Sequence, residues 1–418
     1  MGLDFSQADA ILKDDYLPPI RDLLNNKHLL MKRIQRNTED FVGRQGYIPL
    51  KVGRNEGIGN RAEGGTLPRA GNQKYSKALF GMCYIYGQIE VSGPIIAAMG
   101  EDDGAFTRAV DSEVKELVPD VCNDINRQMF GEGTSELAKS SGSSSGTTIT
   151  CSSSHYWGSI KHLREGMRVD FVNATNGNFV ANGENRTVVS VDVDAGTFVV
   201  DVGPTCTSDT VVVRQGNYGF NDDDPQTARE LWGLGICIDD GAATAPAVAG
   251  TTLKMGNITR SATTPWWKAN VVSGASGLTF DLMEQVVDKC ETNGNGNTSL
   301  IVTDHAQHRA YGALLVPDRR FVSADGMPHE TLDGGFKALE FDGIPVVKDK
   351  DAPSKRMWFL DETSFMLFEQ SDFEWMDKDG SILNRITGKD AYGATLYKYC
   401  QMGCGAPRKN GVIEGLPG

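Results

Sequence analysis

Between residues 257 and 361 the chain reads Asn257-Ile-Thr-Arg-Ser, then Pro265-Trp-Trp-Lys-Ala, then Leu278-Thr-Phe-Asp-Leu-Met-Glu-Gln-Val-Val-Asp. Ser299-Leu-Ile-Val-Thr and Ala306-Gln-His-Arg-Ala-Tyr-Gly-Ala-Leu-Leu follow. Phe341-Asp-Gly-Ile-Pro-Val-Val-Lys-Asp-Lys-Asp-Ala-Pro and Arg356-Met-Trp-Phe-Leu-Asp close the stretch. The segment from Leu278 is amphipathic with helical spacing, the run from Ser299 is short and apolar, and the segment from Ala306 is again helix-like. No catalytic signature lies inside this order, so its information is architectural.

Outward from that stretch, 418 residues suffice for one large or two to three ordinary domains. Hydrophobic content of 39% with 23% charge is globular rather than disordered. Forty-eight glycines make frequent turns and hairpins an expectation. No apolar run reaches the roughly 18–20 residues of a membrane helix, so no membrane partner is expected. The start, Met1-Gly-Leu-Asp-Phe-Ser, has no basic region followed by an apolar one, and its fit to a myristoylation pattern is loose. Eight scattered cysteines include no C-x-x-C pair, and Cys400 and Cys404 lack a second pair or a nearby histidine. Free buried thiols are expected, without zinc or other cofactor. The net charge of −14 is uneven: residues 27–77 hold eleven Lys/Arg against four Asp/Glu, a net of +7. That segment should meet an acidic partner, either nucleic acid or the body of a neighbouring copy.

Along the chain, residues 1–46 read as an arm with one helix candidate, opened by Pro18-Pro19 and carrying Ile20, Leu23, Leu24, Leu30, Met31 and Ile34. Residues 47–91 read as a long hairpin: Tyr47-Ile-Pro-Leu-Lys-Val, a glycine-rich basic tip over 53–71, and Leu79-Phe-Gly-Met-Cys-Tyr-Ile-Tyr-Gly-Gln-Ile-Glu-Val. Such a hairpin buries little of itself and needs a neighbour. Phe106, Val110, Val114, Leu117, Val121, Ile125 and Met129 mark one face of a long helix, which Pro119 should bend rather than end. Residues 140–154 read as a Ser/Gly-rich linker. Beyond it, short strand-like segments through 215 suggest a small barrel. Tyr392-Gly-Ala-Thr-Leu-Tyr-Lys-Tyr-Cys-Gln-Met is a strand candidate returning to the body.

The ordered patterns of 257–361, with the long helix and its exit Asn126-Arg-Gln-Met-Phe-Gly-Glu-Gly-Thr-Ser-Glu-Leu-Ala, resemble the major capsid proteins of tailed bacteriophages. That family is built on the Hong Kong 97-like fold. The resemblance covers nearly the whole chain except 151–215. It implies an α+β subunit with an N-terminal arm (1–46), an extended hairpin loop (47–91), and a spine helix with peripheral domain (92–150). A β-barrel insertion (151–215), more peripheral domain (216–272), an axial domain (273–395) and a C-terminal return to the peripheral domain (396–418) complete it. The implied function is self-assembly through hexamers and pentamers into an icosahedral head around double-stranded DNA, located in the virion and assembled in the host cytoplasm. Implied partners are a scaffolding protein, a portal, a decoration protein, and the packaged DNA through non-specific contact. Only about 46 residues precede the hairpin, so scaffolding is expected from a separate protein. No asparagine matches the family's cross-linking acceptor, so no covalent bonds between subunits are expected. Alternatives are an encapsulin-like nanocompartment shell and, from another class, a carboxylate-based hydrolase with a β-module.

Candidate chemistry is weaker than its plain alternatives. Gly57-Ile-Gly-Asn-Arg-Ala matches a dinucleotide pattern, but Glu63-Gly-Gly-Thr-Leu-Pro cannot start the helix that would face a pyrophosphate. His305 and His308 lack a third metal ligand and read as surface or capping residues. Asp222, Asp223 and Asp224, and later Asp349 and Asp351, read as solvated acidic turns rather than calcium loops. The serine-rich stretch has no nucleophile elbow. The hairpin residues Lys51, Arg54, Arg61, Arg69, Lys74 and Lys77 have few aromatics for base stacking, so ion pairs between subunits are favoured over DNA contact.

Overall fold

The computed structural model describes residues 28–39, 41–42, 45–94, 103–153, 155–157, 160–175, 177–218, 229–241, 254–315, 331–332, 336–337, 339–377 and 384–417. The helix candidate's first part, including Pro18, Pro19, Ile20, Leu23 and Leu24, lies outside these residues, as does Asp222-Asp-Asp. What is described of the arm is one short helical turn, Leu29–Arg33, with Leu30, Met31 and Ile34 buried, followed by two short strand segments, Gln35–Asn37 and Phe41–Val42.

The hairpin is formed by β1 (Gln45–Gly53) and β2 (Lys74–Gly81), paired antiparallel from Gln45↔Gly81 to Gly53↔Lys74, with Phe41–Val42 against the start of β1. The next strand, β3 (Cys83–Ser92), leaves this hairpin to pair with a distant strand, β16 below. The expected single strand over 79–91 is therefore two. Phe80, Met82 and Cys83 are all buried, so the inside-outside alternation breaks at Met82. Apolar residues on both sides of that break hide the change of partner in the sequence.

Helix α1 (Asp103–Phe130) runs through Pro119 without interruption. Val118, Val121, Cys122, Ile125 and Met129 are buried at steps of three and four; the side chains of Phe106, Val110 and Val114 lie outside the described set. Burying Ile125 or Met129 fully is worth about 1.5–3 kcal/mol each. The helix crosses β3 at Gly87, where a methyl group would sit 2.9 Å from Val121 Cγ2 and 3.3 Å from Leu117. Glycine here permits the close approach of helix to sheet.

Strands β4 (Glu136–Lys139), β5 (Thr148–Thr150), β6 (Arg168–Asn173), β7 (Arg186–Asp192), β8 (Thr197–Val200) and β9 (Thr210–Arg214) form a sheet in the order β4-β9-β6-β7-β8-β5. A bridge between Ser140 and Cys151, with Ser141 N–H donating to Thr150 O and Ser152 N–H to Lys139 O, joins the two ends into a barrel. Leu137, Ile149, Leu163, Phe171, Phe198 and Val212 fill it. The barrel therefore starts at Glu136, not 151. The serine-rich stretch expected as a linker is largely wall: Thr148-Ile-Thr alternates exposed, buried, exposed. Small polar residues suit a strand edge as well as a linker, and composition does not separate the two.

The third sheet takes β10 (Asn270–Ser273), β11 (Leu300–Thr303), β12 (Leu339–Phe341), β13 (Ile344–Lys348), β14 (Met357–Leu360) and β17 (Gly411–Glu414) in the order β10-β17-β14-β11-β13-β12. Helices α2 (Phe280–Gly294) and α3 (His305–Leu314) belong to it. Thr279 Oγ1 accepts from Leu282 N–H to start α2, and Asn295 ends it in the left-handed region (φ 50°). Asp304 caps α3 by accepting from Gln307 N–H. Met283, Val286, Cys290 and Tyr311 pack under the two helices against Ile301, Val346 and Ile413.

Between these, β15 (Phe365–Trp375) and β16 (Ala391–Cys404) join β3 in a separate sheet, with residues 35–37 parallel to β15 at one edge. The chain end differs from expectation. The boundary at 395 cuts through β16, and the terminus does not stay with β16. It enters the third sheet, where β17 pairs with β10 and β14.

Candidate intersubunit surface

The hairpin has a dry base and an open tip. At the base Ile48, Leu50, Ala78 and Phe80 are buried. The Phe80 ring lies 5.8 Å from Trp232 and 5.9 Å from Phe368, anchoring it to the body. Residues 54–73 form no helix, so the Gly57-Ile-Gly pattern has none of the geometry a dinucleotide needs. Asn55 Oδ1 accepts from Gly57 N–H at 2.7 Å, Arg61 Nε donates to Thr66 O at 2.9 Å, and Gly65 N–H donates to Ala62 O at 2.9 Å. These bonds give the tip a shape while every one stays within it.

All six basic residues singled out in the sequence are exposed. Arg54 lies 3.9 Å from Glu56, an exposed pair of little worth. Lys51, Arg69, Lys74 and Lys77 have no ion pair among the described residues. Large apolar side chains are bare here as well: Ile58 is 71% exposed, Leu67 82% and Tyr75 72%. The sequence signal was present, but glycine and charge around these residues masked it. The hairpin surface thus mixes exposed cations with exposed apolar side chains.

Behind the hairpin, buried polar contacts fasten the parts of the chain to each other. Asn126 of α1 donates to Asp351 Oδ2 at 2.7 Å and Asp349 Oδ1 at 3.1 Å. These aspartates, expected in a solvated turn, instead tie the helix to the third sheet, and burial raises the Asp349 carboxyl above its ordinary value. Lys161 of the barrel donates to Ala352 O at 2.7 Å and Lys350 O at 3.2 Å in the same turn. Arg127 grips Glu230 through two bonds of 2.7 and 3.1 Å. At the barrel root His155 Nε2 lies 3.0 Å from Glu136, and Arg356 stacks 4.3 Å from the Tyr156 ring while pairing with Glu414 at 3.1 Å. A cleft of about 610 Å³ opens beside this root, lined in part by Lys139, His155, Tyr156, Arg356 and Glu414. Burial pushes the Glu132 carboxyl well above its ordinary value, with Arg356 opposing.

His305 is exposed at the start of α3 and His308 half-buried, with burial lowering the His308 imidazole. Among the described residues no three His, Cys, Asp or Glu side chains are grouped to hold a metal ion. None of the eight cysteines forms a disulfide and seven are buried, with burial pushing Cys290, Cys400 and Cys404 up to about 12. No described helix is long and apolar enough to cross a membrane.

No protein-family model and no curated protein sequence matches the chain. Solved structures do. The cyanophage A-1(L) capsid asymmetric unit is similar over 97% of this chain and 95% of its own, at TM-score 0.51 and 14% identity. The capsid of the native GTA particle gives 0.44 and 9% identity, over 93% of this chain and 90% of its own. Mycobacterium phage Adephagia gives 0.42 and 9% identity, over 99% and 98%. Identity this low speaks for fold alone, and the end-to-end coverage of the cyanophage subunit includes barrel, helix and both large sheets. The chain has a Hong Kong 97-like capsid fold.

Proposed function

We propose that this protein is the major capsid protein of a tailed bacteriophage, self-assembling through hexamers and pentamers into an icosahedral head that encloses double-stranded DNA. Its role is structural and it has no substrate. One observation carries this reading beyond the fold: a hairpin that leaves Ile58, Leu67 and Tyr75 bare beside Lys51, Arg69, Lys74 and Lys77, which have no ion pair among the described residues. A monomer gains nothing by displaying that surface, whereas a subunit in a closed lattice covers it with the next copy. On this reading Lys51, Arg54, Arg61, Arg69, Lys74 and Lys77 serve contacts between subunits. The α1–β3–β15–β16 unit is the peripheral domain, the third sheet with α2 and α3 the axial domain, and the barrel of residues 136–214 an insertion on the outer surface. A separate scaffolding protein, a portal and non-specific contact with packaged DNA belong to the same reading.

Sedimentation and gel filtration of the purified protein test it. Capsomers or particles in the megadalton range are expected. A monomer across the accessible concentration range, with or without a co-expressed scaffold, overturns the proposal.

A further inference from the structure

Between the end of α1 and the first barrel strand the chain reads Gly131-Glu-Gly-Thr-Ser, and all five residues are buried. Glu132 is 8% exposed and Glu136, which opens β4, 3%. His155, beyond β5, is 8% exposed. Buried carboxylates need partners, and these are short of them. Glu136 Oε2 lies 3.0 Å from His155 Nε2, but Glu136 Oε1, His155 Nδ1 and Glu132 Oε1 have no hydrogen-bond partner among the described residues. The cation beside Glu132 is Arg356, at 3.8 Å, which lies closer to Glu414 at 3.1 Å. Other charges around the root are engaged elsewhere, Arg127 with Glu230 at 2.7 Å and Arg260 with Asp239 at 3.7 Å. The neighbouring rings have no donor to spare. Tyr156 donates its hydroxyl to Phe130 O, and Trp157 Nε1 donates to Glu136 O at 2.7 Å.

Glu132, Glu136 and His155 line one cavity of about 10 Å³, room for a single water. With Nε2 donating to Glu136, a singly protonated imidazole leaves Nδ1 an acceptor, and Glu136 Oε1 is an acceptor too. A water can donate to both, and its oxygen then needs a donor. Of the three unpartnered atoms only Glu132 Oε1 is left to become one, by carrying a proton. We infer, independently of the shell reading, that the barrel root is a binding site for one water and one proton: Glu132 Oε1–H donates to the water, which donates to Glu136 Oε1 and His155 Nδ1. Burial, the largest influence on the Glu132 carboxyl, raises it well above its ordinary value; Arg356 opposes this, and Glu136, Asp239 and Glu414 add to it. The site ties the exit of α1 to β4 and to the segment carrying His155, with Arg356 of the third sheet 4.3 Å from the Tyr156 ring alongside. Loss of the proton leaves two buried carboxylates facing a water that no group donates to. The root is therefore closed below the folded-state value of Glu132 and loosens as pH rises through it.

Hydrogen exchange of the purified protein, read by mass spectrometry as protection relative to the intrinsic rate at each pH, tests the site. Protection of residues 131–140 and 155–157 should fall by about tenfold for each pH unit above the folded-state value, while that of β6 inside the barrel holds. Glu132→Gln, whose amide can donate to the water as the acid does, should abolish the fall. The infrared difference between parent and this variant at neutral pH should show a carboxylic-acid C=O band that shifts in heavy water. Root protection that keeps pace with β6 at every pH, a fall that Glu132→Gln shares, or carboxylate bands alone in the difference overturns the inference. If Glu132→Gln does not fold, the parent decides through its own pH series and a density map that resolves buried waters. A water touching Glu132, Glu136 and His155 is expected there, and a map that shows other buried waters but none at this place contradicts the site.

Discussion

At the level of single residues, the contacts that matter were the least legible. Asp349-Lys-Asp looks solvated in sequence because lysines interleave the acids, yet the turn folds over Asn126, 223 residues away from Asp349. Nothing local announces a partner at that separation. Asn126→Ala should strip the buried Asp351 of its amide donor, leaving it Lys350 at 3.1 Å, and cost about 1–3 kcal/mol, read by chemical denaturation of capsomers; a change near zero would show that water replaces the amide. Glu132 gives a pH prediction. Its folded-state pKa lies well above the ordinary 4.5, so the native state holds more protons than the unfolded chain between the two values. Its contribution is fully present below the unfolded value and is lost as pH rises through the folded one. Glu132→Gln should flatten the fall in stability over that window, and an unchanged pH profile would contradict the assignment. The basic residues of the tip, by contrast, were readable directly, because a cation in a glycine-rich loop has no core in which to hide.

Elements were legible where periodicity was strong. The long helix, α2 and α3 follow from apolar steps of three and four, and the caps Thr279 and Asp304 sit where the patterns begin. Strand partnership was not legible: β2 and β3 are separated by one residue yet belong to different sheets, and β17 returns to a sheet whose other strands lie far back in the chain. Alternation tells that a segment is a strand without telling which neighbour it joins. Two tests belong here. Replacing residues 54–73 by an Asn-Gly turn joins Gly53 to Lys74, which are already paired. The variant should fold to the same melting temperature as the parent and form no closed particles, because the buried base at Ile48, Leu50, Ala78 and Phe80 is untouched. Loss of folding instead would place the tip in the subunit's own core. Limited proteolysis of particles should cut first within residues 142–147, where the barrel exposes an irregular crossing between β4 and β5. Protection there with early cleavage elsewhere would contradict an outward-facing barrel.

For the molecule as a whole, the sequence conveyed the fold class better than the limits of its elements. Composition placed it among globular chains, and the pattern of 257–361 pointed to a shell subunit, but the barrel limits and the chain end needed coordinates. A closed barrel can begin in a stretch that composition reads as linker, since backbone hydrogen bonds from Ser141 to Thr150 and from Ser152 to Lys139, not hydrophobicity, seal it. Among the described residues polar ties at Asn126, Lys161, Arg127 and Arg356 join the parts, so each copy is a tile whose hairpin tip keeps its hydrogen bonds to itself. The central claim is that such tiles close into a container in which each hairpin crosses to another copy. Electron cryomicroscopy of the assembled protein tests this most directly. The account predicts icosahedral particles in whose density residues 54–73 lie on an adjacent subunit; particles whose hairpins contact only their own subunit, or no particles under any assembly condition, would contradict it.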